Sequence, residues 1–245
     1  MPHEEHPDFE TPPDETPLWR YMSFVKFVDL LERRSLFFSR ADELGDPFEG
    51  SVVSNITYTT AGFENIPSTS RLADLPDDVR TIVARGNRTV VKKTFINCWY
   101  AREHDSAAMW TVYATEIDGI AIRSTVGRLK KALSQCPESV TIAAVSYIDF
   151  ATAEQQGGNF LRHFLQKRLS FDHEREVRAL ILQFEDAPPP GLRVAVDVDS
   201  LIEEVVVAPQ AAEWFADLVK TLAARYGLGT NVRYSSLSDE PWWGD

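Results

Sequence analysis

The residues of this chain that could do chemistry are polar side chains set on or beside apolar runs. They are Arg40, Asp46, Glu103, Ser106, Arg123, Ser124, Glu174, Glu176 and Arg178. In residues 173–184 (HEREVRALILQF), strand alternation puts Glu174, Glu176 and Arg178 on one face with Leu180 and Leu182. Val177, Ala179 and Ile181 take the other face. The far half is apolar on both faces, as in a central strand covered on each side. Charges entering such a sheet need partners, and clustered titratable groups mark functional sites as well as structural networks. A loosely paired strand end accounts for the same residues without a site. So does a helix holding Glu174 and Arg178 at i and i+4.

A second constellation is GIAIRSTVG (119–127), followed by Arg128, Lys130 and Lys131. An apolar strand runs into Ser124 and Thr125, where a helix begins. Free N–H groups and the positive dipole end at a helix start suit a phosphate or carboxylate, and Arg123 and Arg128 would add bidentate donors. The plain alternative is an ordinary Ser/Thr cap. The glycine spacing and lysine of a P-loop are absent, as are CxxC, HExxH and GxSxG. Cys98, inside FINCWY, reads as a buried and inert thiol. No metal site is expected.

The whole chain sets the frame. Its 245 residues are 44% hydrophobic with a net charge of −12, enough material for one substantial core. Bulk charge of that sign disfavours a general nucleic-acid binder. Two stretches depart from it. Residues 79–102 hold no Asp or Glu but contain Arg80, Arg85, Arg88, Lys92, Lys93 and Arg102, and residues 119–137 are likewise free of acids. Solvated basic helix faces and a local anion site both fit. There is no apolar run of membrane-spanning length. With two cysteines and no basic-then-apolar leader, reduced thiols and a cytoplasmic location are expected.

The elements that must position these residues follow from periodicity and caps. Residues 1–17, acidic and proline-rich, are expected to be a disordered tail. Residues 18–22 and 35–40 read as strands around a helix capped by Ser23. A long irregular segment over 57–76 precedes a helix over 76–94, weakened at Gly86. Strands are expected over 95–100, 119–124 and 140–149, with helices after Ser106, over 126–134 and over 160–169. Strands over 174–184 and 192–198 should pair as a hairpin. A strand over 204–208, a helix over 211–226 and a strand over 231–235 complete the order. The mixed sequence of elements implies a single α+β domain over 18–236, with a largely antiparallel central sheet and flanking helices. Residues 237–245 form a tail.

Seven segments together resemble the bacterial domain of unknown function family 2971. They are LWRYMSFVKFVDLL (18–31), LFFSRADELGDPFEG (36–50), NCWY (97–100), EHDSAAMWTVYA (103–114), GIAIRSTVGRLKKAL (119–133), SFDHEREVRALI (170–181) and EEVVVAPQAAEWFADLV (203–219). The combination of Asp46-Pro47-Phe48-Glu49, Met109-Trp110-x-x-Tyr113 and Glu174-x-Glu176 with Arg178 carries the likeness. The family implies no reaction. The order Arg40, Ser124-Thr125, Glu174-x-Glu176 is also similar to NAD-using ADP-ribosyltransferases of the Arg, Ser, Glu type, although position 126 is Val. That resemblance implies NAD as cofactor, with Arg40 on a pyrophosphate or ribose, Arg123, Ser124, Thr125 and Arg178 on the ligand, and Glu176 and Glu174 at the reacting ribose. A nucleotide-using enzyme, a non-catalytic nucleotide- or anion-binding module and a purely structural ion network therefore all stand at this point. They part on whether Arg40, Arg123, Glu176 and Arg178 converge on one concavity.

Overall fold

Ahead of the first strand, residues 6–16 form a proline-set segment whose main chain is already committed to the body. In the computed structural model, which describes residues 6–53, 55–59 and 69–243, residues 6–16 are not a loose tail. Glu10 and Thr16 accept from the Ala144 and Val126 amides, Asp14 accepts from Gly127 N, and Thr11 Oγ1 donates to Ile142 O. Three prolines (Pro7, Pro12 and Pro13) limit the entropy this segment loses on docking. That offset is what the expectation of disorder left out.

The elements run β1 Pro17–Ser23, α1 Phe24–Arg33, β2 Ser35–Arg40, β3 Asn55–Thr59, β4 Thr69–Arg71, α2 Asp77–Val91 and β5 Thr94–Ala101. Next come α3 Ala107–Tyr113, β6 Gly119–Thr125, α4 Val126–Ala132, β7 Val140–Ala144, β8 Ser146–Ile148 and β9 Glu154–Gln156. The chain ends with β10 Gln166–Arg168, β11 Glu176–Leu182, β12 Gly191–Ala195, α5 Val198–Leu201, β13 Glu204–Val207, α6 Glu213–Arg225 and β14 Asn231–Tyr234. Ser23 and Ser106 cap α1 and α3 through their side chains, as their positions before the apolar stripes require.

One mixed, mostly antiparallel sheet dominates, in the order β12-β2-β5-β1-β6-β13-β14, with β11 on β5 and β7 on β11. The fold is α+β with flanking helices. The first face carries the main core, where Phe27, Trp99, Leu129, Val177, Val205 and Val219 meet beneath α1, α4 and α6. The second face carries two separate clusters. Trp19, Tyr21, Tyr100 and Trp110 form one under α3, and Ile96, Ala143, Phe164 and Leu180 form the other. The ground between them is polar.

Three expected elements come out differently. The strand at 192–198 does not hairpin with the one before it: β12 lies antiparallel on β2, Leu192 opposite Phe38, because the Pro188-Pro189-Pro190 run carries the chain across the sheet. The 140–149 strand breaks at Val145, whose amide goes to Glu176 O while Ser146 N goes to Leu165 O. The 160–169 helix is a single 3-10 turn, Phe160–Phe164, followed by β10 paired parallel to β8. Residues 60–68 of the expected irregular segment lie outside the described residues, and β3 and β4 flank them.

Candidate functional site

The site begins as a fork in the sheet. β5 shares one of its edges between two partners. Arg40 and Ser39 of β2 face Phe95 and Ile96, whereas Trp19 and Leu18 of β1 face Tyr100 and Ala101. Asn97, Cys98 and Trp99 fall in the gap, outside both registers. Side chains take over the missing ladder: Arg20 Nη1 donates to Cys98 O (3.1 Å) and Asn97 Nδ2 to Phe37 O (2.9 Å). A cavity of about 680 Å³ opens in this fork. It reaches from α1 (Lys26, Asp29) across the divided strands to Glu49, Lys167, Glu174, Glu176 and Arg178 on the second face.

The far wall is an ion network centred on residues 167–178 and joined by Glu49 and Tyr113. Arg178 sits on β11, only 1% exposed. It gives Nε to Glu176 Oε2 (2.6 Å), Nη1 to Glu49 Oε1 (2.5 Å) and Phe164 O (2.7 Å), and Nη2 to Glu49 Oε2 (3.0 Å). Lys167, from β10, bridges Glu176 Oε1 (2.6 Å) and Glu174. Glu174 also accepts from Tyr113 Oη (2.5 Å). Glu174 is not on the strand as alternation expects. It ends a 3-10 turn, and Arg175, at φ 39°, carries the chain into β11. That left-handed residue brings two carboxylates separated by one residue to the same lysine.

The two carboxyls are driven apart. Burial acts to raise Glu176, but the Arg178 charge, with Lys167, outweighs it and holds this group well below the ordinary carboxylate range. Glu174 is raised, first by burial and then by its neighbour Glu176. Glu49 is raised by burial despite Arg178. A pair split this way has an ionised member and a member that keeps a proton more readily, the division acid–base chemistry uses. Cys98, at the base of the fork, is pushed far up by burial and stays a thiol.

The near wall is different. Arg20, on β1, lies half-buried over the Trp99 ring (5.8 Å), and burial lowers its guanidinium below the ordinary arginine range. Its polar partner is a neutral carbonyl, that of Cys98. Lys26, on the first turn of α1, is exposed at the rim. Among the described residues neither cation is ion-paired with a carboxylate. Aromatic rings of Trp19, Tyr21, Trp99 and Phe171 complete the lining.

No family model matches the chain, and no curated protein does. Among solved structures it is similar to Thermus sp. 2.9 DarT. With carba-NAD+ bound, the identity is 11% over 91% of this chain and 97% of that one, at a TM-score of 0.40. With NAD+ bound, the values are 9%, 91%, 97% and 0.41. With ADP-ribosylated ssDNA they are 10%, 94%, 98% and 0.41. At these values the likeness identifies no ligand for this chain.

The residues named from sequence divide sharply. Glu174, Glu176 and Arg178 meet in the cavity. Arg40 does not line it: its guanidinium is held by Asp42 (2.5 Å), Glu43 (3.1 Å) and the carbonyls of Pro188 and Pro189. Arg123 sits between Glu203 (3.1 Å) and Glu103 (3.7 Å). Ser124 is buried and donates to Leu201 O (2.6 Å), and Thr125 caps α4 through Arg128 N. The α4 start holds no open anion site, because Val126 N and Gly127 N already donate to Thr16 O and Asp14 O. Sequence reasoning missed Arg20, Lys26 and Lys167, and named Glu49 and Tyr113 only as members of the resemblance motifs, not as site residues. Arg20 carried a legible signal: a lone cation in the apolar strand PLWRYMS. Lys167 had none, since its strand is three residues long.

Proposed function

We propose that the fork is a nucleotide-binding cleft and that the protein is an NAD-using enzyme of the ADP-ribosyltransferase kind. The observation that carries the reading is the pairing of two cations lacking carboxylate partners, Arg20 and Lys26, with the acid network across one cavity. A desolvated guanidinium without a counter-charge favours an anion, and aromatic walls favour a flat ring. A phosphorylated nucleoside supplies both. The cavity falls within the range of small-molecule sites. The three motifs that carry the resemblance to family 2971 all contribute to its lining, through Asp46 and Glu49, Met109 and Tyr113, and Glu174 with Glu176 and Arg178. Membership of that family is part of the proposal.

In the reaction, the bond from ribose C1′ to the nicotinamide nitrogen breaks and its electron pair leaves on nicotinamide. An acceptor hydroxyl or amine bonds to C1′, and its proton passes to a carboxylate and on to solvent. Glu176, held ionised, faces the developing positive charge; Glu174 handles the proton. Incubation of the protein with NAD should release nicotinamide, and Glu176→Gln should slow release by at least about 100-fold, the scale of losing one electrostatic stabiliser.

One observation favours a second reading, a non-catalytic nucleotide-binding module: both Glu176 oxygens are already occupied by Lys167 and Arg178. In that case NAD or ADP raises the melting temperature, Arg20→Met abolishes the rise, and no nicotinamide appears. If no nucleotide shifts the melting temperature, both readings fail.

A further inference from the structure

The part of the first acid-free stretch that the cleft does not use, residues 79–93, forms most of α2 and its exit. The helix buries no residue fully. It rests on a half-buried stripe of Val79, Val83, Asn87 and Val90, with Asn87 Nδ2 donating to Gly50 O (3.1 Å). On the exposed side lie Arg85, Arg88 and Lys92, spaced three and four apart and so in one line. Among the described residues none of them is ion-paired, whereas Arg80, one turn earlier, pairs with Asp77. Like charges at this spacing oppose the helix. Gly86 opposes it again, for a methyl group there would meet nothing within 4 Å and no positive φ requires glycine.

We propose that α2 is a docking stripe for the phosphate backbone of a single-stranded nucleic acid. Three cations in one line of about 10 Å, at 1.5 Å per residue, match one strand's run of phosphates. A duplex would call for cations along two lines. With the chain at −12, the rest of the surface repels a polyanion and confines contact to this stripe. The inference does not depend on what the cleft binds.

The test is fluorescence anisotropy of a short labelled oligothymidylate titrated with the full chain over a range of salt. Neutralising about three phosphates on a single strand predicts a slope near −2 for log affinity against log salt. The triple variant Arg85→Gln, Arg88→Gln, Lys92→Gln should bind at least about tenfold more weakly, with a slope near zero, at a melting temperature no lower than the parent's. Each substitution lies on the exposed face, so folding is retained. Three results would each overturn the proposal: equal binding by the variant, equal binding of a duplex of the same length, or equal competition by polyglutamate.

Discussion

Two regions of this molecule look alike in sequence and differ in what they leave open. The β6–α4 corner and the β1–β5 fork each bring arginine, hydroxyl-bearing or aromatic side chains, and a break in regular structure together. At the corner the arginines and the first helix amides are already engaged. Arg123 lies between two glutamates, Arg128 Nη1 reaches Ser200 O, and the first amides of α4 are closed by carbonyls from residues 14 and 16. In the fork, Arg20 has a ring and a carbonyl but no counter-charge. A cation indicates a ligand site only when the protein has not neutralised it already, and sequence shows the cation but not its partner.

The largest way to break this contrast is at Arg178. It is shared by two carboxylates and a carbonyl with almost no exposure, so Arg178→Met strands Glu49 and Glu176 together. A loss of about 3–5 kcal/mol in urea unfolding is expected, the cost of removing one member of a buried pair. A loss below about 1 kcal/mol would mean that water enters the network freely.

Next in size is the asymmetry of the glutamates. Glu176 has a folded pKa below its unfolded one. Its contribution is therefore present above the ordinary carboxylate range, near pH 4, and lost as the pH falls below it. Glu174 is shifted the other way, so its contribution is present at low pH and lost as pH rises through its folded value. At neutral pH Glu176→Gln should cost about 2–3 kcal/mol, and Glu174→Gln clearly less. In unfolding measured across pH, the first substitution should flatten the acid limb and the second the limb above it. Equal costs and parallel profiles would remove the division of roles between them.

The corner yields a smaller effect. Thr125→Ala removes the cap on α4 and should lower stability by about 1 kcal/mol without altering any nucleotide-induced shift in melting temperature. A lost shift would return the corner to the site.

How much of this was legible follows from the range of the forces involved. β2 was read at its exact bounds, and β5 and β6 within a residue, because alternation and caps are local. Glu176 and Arg178 were placed together for the same reason. Ser124 was misplaced because its partner is the Leu201 carbonyl, 77 residues away, whereas Arg40 is held by its near neighbours Asp42 and Glu43 as well as by the distant carbonyls of Pro188 and Pro189. Lys167 and Glu49 joined the network through a three-residue strand and an irregular turn, neither of which has a period to read. The fork itself depends on β1 and β2 sharing one edge of β5, a choice no local pattern encodes.

The smallest effect sharpens the contrast most. Arg123→Gln removes exposed-side ion pairs and should change stability by no more than about 1 kcal/mol. Arg20→Met forfeits a cation–π contact of about 0.5–1 kcal/mol but relieves a half-buried charge with no counter-charge, so its net cost should also be close to zero. The two variants are then nearly indistinguishable in unfolding without ligand. Only with nucleotide present should they separate, Arg123→Gln shifting as the parent does and Arg20→Met not at all. Should Arg20→Met unfold substantially more easily on its own, the guanidinium is a structural prop for the Cys98 carbonyl, and the fork is closed in the same sense as the corner.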